Sequence, residues 1–159
     1  MPKHSAGILL YRRGADGLEV LLGHPGGPFF VRRDDGVWSV PKGEYHDAEE
    51  PRAAALREFA EETGTALPDR NLDDLGEIRQ RGGKLVRAWA APGDLDPATV
   101  VSNTFEMEWP PRSGRTRAFP EIDRAAWFSL EEARRRIVPA QAELLDRLSD
   151  RLARAGSDG

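Results

Sequence analysis

The sequence has no cysteine. Disulfides, thiolate metal sites and cysteine nucleophiles are therefore excluded. It also lacks a long hydrophobic run: nothing approaches the ~18 apolar residues of a membrane span. The opening stretch MPKHSAGILLYRR has too short an apolar segment and too many flanking charges for a signal peptide. The expectation is a cytoplasmic protein without a membrane partner. A strong excess of one charge is missing too. The 23 Lys and Arg against 27 Asp and Glu leave a net charge of −4, which argues against broad, charge-driven binding to nucleic acid. No repeat or linker divides the chain.

What is present suits one domain. The 159 residues match the length of an ordinary domain, and 39% hydrophobic against 31% charged residues describes a folded, soluble protein. A single domain over residues 1–155 is expected, with a loose tail at 156–159. Ser5–Arg13 and Leu18–Gly23 flank GADG and read as a β-hairpin. His24–Gly36 is too rich in Gly and Pro for regular structure. Val37–Val40 reads as a short strand stopped by Pro41. Residues 52–63, RAAALREFAEET, read as a helix. LDDLGEIRQ, KLVRAWAAP, TVVSNTFEMEW and RAAWFS read as further strands. Ser129-Leu-Glu-Glu132 is a capping box, with Ser129 as cap and Glu132 reaching back, opening a helix to about Val138. Leu144, Leu145, Leu148 and Leu152 make the apolar stripe of a closing helix. Strands mixed with three helices predict an α/β domain whose helices cover a mixed sheet.

The central helix raises a question. Arg57 to Gly64, REFAEETG, sets Glu58, Glu61 and Glu62 within two turns. Like charges at those spacings repel by roughly 0.2–0.5 kcal/mol per pair. At about 100° per residue, Leu56, Ala60, Phe59 and Ala53 form the expected buried stripe, and the glutamates gather on the opposite arc. A solvated face is the simple reading of two adjacent glutamates. Three details point elsewhere. Only Arg57 supplies a nearby cation, Glu49 lies just before the helix within its reach, and Gly43 follows VPK where the backbone can turn. Clustered carboxylates with few cations suit hard divalent ions, which share themselves with phosphate oxygens, lower the pKa of bound water and clamp the phosphates it attacks.

The same residues carry a resemblance. Gly43, five residues, Glu49, seven residues, then Arg57-Glu58-Phe59-Ala60-Glu61-Glu62-Thr63-Gly64-Thr65 resembles the Nudix box, Gly-x5-Glu-x7-Arg-Glu-U-x-Glu-Glu-x-Gly-U, with U a bulky apolar residue. Every charged and glycine position matches. Thr65 stands where an aliphatic residue is usual, a change in packing rather than chemistry. The resemblance implies a Nudix α/β/α sandwich and metal-dependent hydrolysis of a nucleoside diphosphate linked to another group, with Mg²⁺ or Mn²⁺ as cofactor. It implies that Glu58, Glu61 and Glu62 ligate metal with help from the Gly43 carbonyl, that Glu58 is a candidate base, and that Arg57 pairs with Glu49. Glu121 is the best candidate for an acidic residue outside the box, as ligand or base, with Glu106 and Glu108 competing. WSVPKGE and Pro120–Ala133 resemble the flanks found in hydrolases of dinucleoside polyphosphates and RNA 5′ ends. Nucleoside triphosphates and dinucleoside polyphosphates are therefore the leading substrates. ADP-ribose or a nucleotide sugar is the alternative, as is a nucleotide-binding module without turnover. An RNA 5′ end stays open but is not favoured. Either a monomer or a homodimer fits.

Other stretches offer substrate contacts. Lys42 beside Gly43 can meet phosphate. Arg32 and Arg33 can do so from a loop whose Phe29 or Phe30 can lie under a base, although a plain connecting loop is equally consistent. Arg112, Arg115 and Arg117 alternate with Trp109 and Phe119, a composition suited to phosphate and base or to a polar connection between strands. His24 and His46 are weaker candidates for acid–base chemistry.

Overall fold

The computed structural model describes residues 3–157. Its strands are β1 (His4–Gly14), β2 (Gly17–Pro25), β3 (Lys42–Glu44), β4 (Asp73–Arg79), β5 (Leu85–Pro92), β6 (Thr104–Glu108), β7 (Thr116–Pro120) and β8 (Ile122–Ser129). Its helices are α1 (Pro51–Thr63), α2 (Leu130–Arg136) and α3 (Ala142–Ser157), with 3₁₀ turns at Pro97–Thr99 and Pro139–Gln141.

The main sheet runs β4-β5-β1-β2-β8, with β3 added alongside β1. β1 and β5 are parallel and the other pairs antiparallel, so the sheet is mixed. Helices cover both faces, which is why β1 reads as an almost unbroken apolar run, AGILLY. Ile8 and Leu10 of β1 and Leu21 of β2 join Ala54, Ala55 and Phe59 of α1 in one core. Leu9, Val20 and Leu22 point the other way, against Leu144, Leu145 and Leu148 of α3. Each fully buried leucine contributes about 1.5–3 kcal/mol, so the stripe on α3 anchors that layer. The expected α/β/α sandwich is present.

One departure from a plain sheet positions the site. β1 pairs with β2 from Tyr11 to Gly14 but with β3 from Ser5 to Gly7. The two strands separate, and the segment around 38–44 is wedged between them. Ser39 exchanges both backbone hydrogen bonds with Gly23 at 2.8 and 2.9 Å, and Ile8 N–H donates to the Pro41 carbonyl.

Several elements differ from expectation. Val37–Val40 is not a strand. Trp38 and Ser39 make isolated bridges to Ile137 and Gly23, and the strand falls after Pro41, which has no N–H to give a ladder. Residues 99–109 begin with a 3₁₀ turn rather than a strand, since Asp96 accepts from Ala98 N–H at 3.0 Å and caps it. β7 was not expected, because GRTRAFP carries too few apolar residues to show a strand period. Ser129 caps α2 through Glu132 N–H at 3.1 Å, but the Glu132 carboxylate turns to Arg135 and Arg136 at 2.6 and 2.8 Å instead of reaching back. α2 stops at Arg136. α3 continues through Ser157, so the first two residues of the expected loose tail are helical; residues 158–159 lie outside the described residues.

Candidate active site

The buried face of α1 is not the one its apolar residues suggest. Ala54, Ala55, Glu58, Phe59, Glu62 and Thr63 are buried, while Ala53 is exposed and Leu56 and Ala60 are intermediate. In angular order the buried arc runs Ala54, Glu58, Glu62, Ala55, Phe59, Thr63, with Glu62 near its middle. Two glutamates thus face the sheet rather than solvent. Glu50 offers no side-chain cap, Pro51 starts the helix, and Gly64 ends it in the left-handed conformation with its N–H on the Ala60 carbonyl at 2.8 Å.

β3 lies directly across from these carboxylates. A Cβ at Gly43 would overlap the Glu58 carboxylate, so the close approach of helix and strand requires glycine there. Arg57 organises the outer side. Its Nε and Nη2 donate to the two Glu49 oxygens at 2.8 and 2.9 Å, a bidentate fork. Its Nη1 donates to Glu58 Oε1 at 2.8 Å and to Glu61 at 3.2 Å. The carboxylates raise the Arg57 pKa, so it is a permanent cation.

These groups open on a cleft of about 390 Å³ lined by Lys42, Gly43, Glu58, Glu61, Glu62 and Glu121, with Ser5, Glu44, Lys84 and Asn103 completing the wall. Glu62 Oε2 is buried without any hydrogen-bond partner. Desolvation first, and the Glu58 charge second, push its pKa up to about 8; Lys42 opposes the rise. Burial also raises Glu58, against the pull of Arg57. Burial lowers Lys42, with Glu62 opposing. Loop 101–103 closes the far end. Val101 N–H donates to the Thr63 carbonyl at 3.0 Å and Asn103 N–H to the Glu61 carbonyl at 2.8 Å, satisfying carbonyls that α1 leaves unpaired. Glu121 N–H then donates to the Asn103 carbonyl at 2.9 Å, which hangs Glu121 at the cleft rim.

Of the remaining sequence candidates, Glu106 and Glu108 are exposed on β6 and line no part of the cleft. Arg32, Arg33, Arg115 and Arg117 also stand outside its walls. His24 is buried, with Nδ1 2.8 Å from Asp123 Oδ1 and Nε2 2.7 Å from the Arg33 carbonyl. Both ring nitrogens are engaged, so it fastens a loop. Lys84 and Asn103 escaped the sequence reading. Lys84 had one signal, the Gly82-Gly83 turn that aims it; Asn103 had none.

The donor set suits a hard divalent cation. Carboxylates from one helix, a strand carbonyl at Gly43 and an unpartnered buried oxygen on Glu62 are the ligand types such ions take. Among the described residues, no group of three carboxylate or imidazole side chains is already arranged to hold a metal ion; Arg57 occupies Glu58 and Glu61.

Comparison with known proteins agrees with this geometry. The NUDIX domain model matches residues 1–148. The chain is 51% identical over 139 residues to an RNA pyrophosphohydrolase of Roseobacter denitrificans, covering 72% of this chain and 87% of that one. An Ap4A hydrolase of C. elegans superposes with a TM-score of 0.64 at 24% identity, covering 94% of this chain and 98% of that one. A MutT/nudix family protein of Enterococcus faecalis superposes at 0.57 and 23% identity over 80% of this chain; the chain spans 44% of that protein's length. The protein belongs to the Nudix family and is a hydrolase of phosphoric anhydrides. Hydrolases of this family generally use divalent metals such as Mg²⁺. Among the described residues, no helix is long and apolar enough to cross a membrane.

Proposed function

We propose that this chain hydrolyses the polyphosphate of a nucleotide, with nucleoside triphosphates, dinucleoside polyphosphates and RNA 5′ ends as the substrate group. The observation that carries the reading is the pairing of opposite needs in one cleft. Glu62 presents a buried oxygen without a partner, and Lys42 and Lys84 line the same walls with no carboxylate bonded to either ammonium among the described residues. A phosphate-bound cation meets both needs.

Glu58, Glu61 and Glu62 would hold Mg²⁺ or Mn²⁺ with the Gly43 carbonyl, and Glu121 would join from the rim. When bound, the metal neutralises phosphate charge and acidifies the attacking water. Lys42 and Lys84 would bind the phosphate oxygens and orient the anhydride, which is where positioning contributes most in phosphoryl transfer. Arg57 and Glu49 would fix the loop before α1 against the helix. Glu58, or Glu121 from the rim, would take the proton of the attacking water. The 51% identity to an RNA pyrophosphohydrolase gives RNA 5′ ends more weight than the sequence reading did.

The test is phosphate release with Mg²⁺ or Mn²⁺ from triphosphates, dinucleoside polyphosphates, 5′-triphosphorylated RNA, ADP-ribose and nucleotide sugars. Turnover of a member of the first three groups, lost by on the order of 100-fold or more in Glu62→Gln, is expected. Preference for ADP-ribose or nucleotide sugars would replace the substrate. Binding without turnover would make the chain a sensing module.

A further inference from the structure

We infer that the β6–β7 ribbon and Phe29 form a platform for a second nucleoside, the one remote from the reacting phosphates. This rests on the polyphosphate reading of the cleft and names which polyphosphates fit it.

Phe29 is 60% exposed, yet it sits on a loop that is held at several points. Gly26 N–H donates to the Glu121 carbonyl at 3.1 Å, Phe30 N–H and Arg33 N–H close successive turns, and His24 grips the Arg33 carbonyl at 2.7 Å. A Cβ at Gly26 would overlap the Pro120 carbonyl, so the loop lies flush on the ribbon. The Phe29 ring meets Trp109 edge-to-face, with centroids 5.5 Å apart and planes at 86°. An exposed aromatic ring held this way offers a ready stacking surface.

The ribbon continues the surface. Its register places Phe105 opposite Phe119 and Met107 opposite Arg117, and Trp109 N–H donates to the Arg115 carbonyl at 2.9 Å. Strand alternation puts all six on one face, while Glu106 and Glu108 take the other. Arg117 lies over Phe119, 5.5 Å from its centroid, and Arg33 lies 5.7 Å from that of Phe30. Among the described residues, no carboxylate pairs with Arg32, Arg33, Arg115 or Arg117. By contrast, Arg134 pairs with one carboxylate, Arg12 with two and Arg136 with three. Free guanidinium groups beside aromatic rings match a base with its phosphate.

Position selects the second nucleoside. The ribbon is rooted at the cleft through Asn103 and Glu121. From Thr104 to Trp109 the strand advances about 17 Å. With the reacting phosphates between Lys42 and Lys84, the platform is placed for the far nucleoside of a dinucleoside polyphosphate or the next nucleotide of an RNA 5′ end.

Calorimetric titration with Mg²⁺ and methylene-bridged, non-hydrolysable analogues tests this apart from turnover. The ligands are analogues of ATP, of diadenosine tetraphosphate and of a 5′-triphosphorylated dinucleotide. Phe29→Ala and the double variant Arg115→Ala/Arg117→Ala are expected to weaken at least one two-nucleoside ligand about tenfold more than the ATP analogue. Tenfold corresponds to about 1.4 kcal/mol, within the range for one base–aromatic stack. Val31→Ser, on the same loop and 64% exposed, is the control that should change none. The responding ligand identifies the source of the second nucleoside. Equal losses for all three ligands, or none, would overturn the platform. So would a dimer in solution that Phe29→Ala dissociates without changing affinity. Failure of wild type to bind all three would reject the reading of the cleft itself, whereas binding without Phe29 selectivity rejects the platform alone.

Discussion

Glu62 concentrates the physics of the site. A carboxylate is buried against the sheet with one oxygen unpartnered, and its pKa is displaced from an ordinary 4.5 to about 8. Between those values the metal-free folded chain holds a proton that the unfolded chain has released. Proton binding is then greater in the folded state, so stability falls as pH rises through that window. Glu58 shifts in the same direction and reinforces the slope. In EDTA, wild type is expected to melt several degrees lower at pH 8.5 than at pH 6. Glu62→Gln should melt above wild type at pH 8.5 and show a flatter profile. Equal pH profiles for the two proteins would show that Glu62 is not the strained group. Its role was half legible in the sequence. Spacing picked out the residue, but its burial contradicts its polarity and no hydropathy pattern reports that.

At the scale of elements, the segment wedged between β1 and β2 carries Lys42, and the β4–β5 turn carries Lys84. Gln141 braces both from behind. It is fully buried, its Oε1 accepts from Val40 N–H at 3.0 Å, and its Nε2 donates to Ser39 Oγ at 3.0 Å and Gln80 Oε1 at 2.7 Å. Gln80 N–H in turn donates to the Lys84 carbonyl at 2.7 Å. Gln141→Ala leaves several of these groups unsatisfied, at a cost of about 1–3 kcal/mol. Thermal denaturation should show a fall of roughly 3–10 °C. Activity assays should show KM rising more than kcat falls, because phosphate binding loosens while the carboxylates of α1 remain. A fall in melting temperature with unchanged KM would make Gln141 a core residue only. None of this was visible from the sequence, where Pro139 reads as an interruption and Gln141 as one more polar residue of the closing helix AQAELLDRLSDRLARA. The hydrogen bonds join residues 61 to 102 positions apart, far outside any local pattern.

The whole molecule is an acidic chain with its densest carboxylate cluster turned inward. A cation that binds the folded state and not the unfolded one stabilises by mass action, about 2.7 kcal/mol at 100 times Kd. Millimolar Mg²⁺ or Mn²⁺ is expected to raise the melting temperature of wild type by roughly 5–10 °C, and Glu61→Gln or Glu62→Gln should blunt the rise. No shift in wild type at saturating metal would count against a metal centre. The fold class was accessible beforehand because it rests on repeating local signals: the hairpin around GADG, the helix of residues 52–63 and the leucine stripe of α3. The β6–β7 ribbon was half hidden, since Thr116 and Arg117 mask the strand period of β7.

The sequence by itself determined the chemistry and the family. The spacing of Gly43, Glu49, Arg57, Glu58, Glu61, Glu62 and Gly64 is set along one chain, and a pattern in one dimension can be read in one dimension. Only the tertiary structure decided which way that helix faces. Alanines lie on several sides of α1, so its apolar content leaves the orientation nearly free, and the choice fell to Phe59 and Ala55 packing under Ile8 and Leu10. That packing turned Glu58 and Glu62 inward, against Gly43 and Lys42. It also brought in Lys84, Asn103 and Glu121 from segments separate in sequence, because a cleft belongs to the surfaces that meet there.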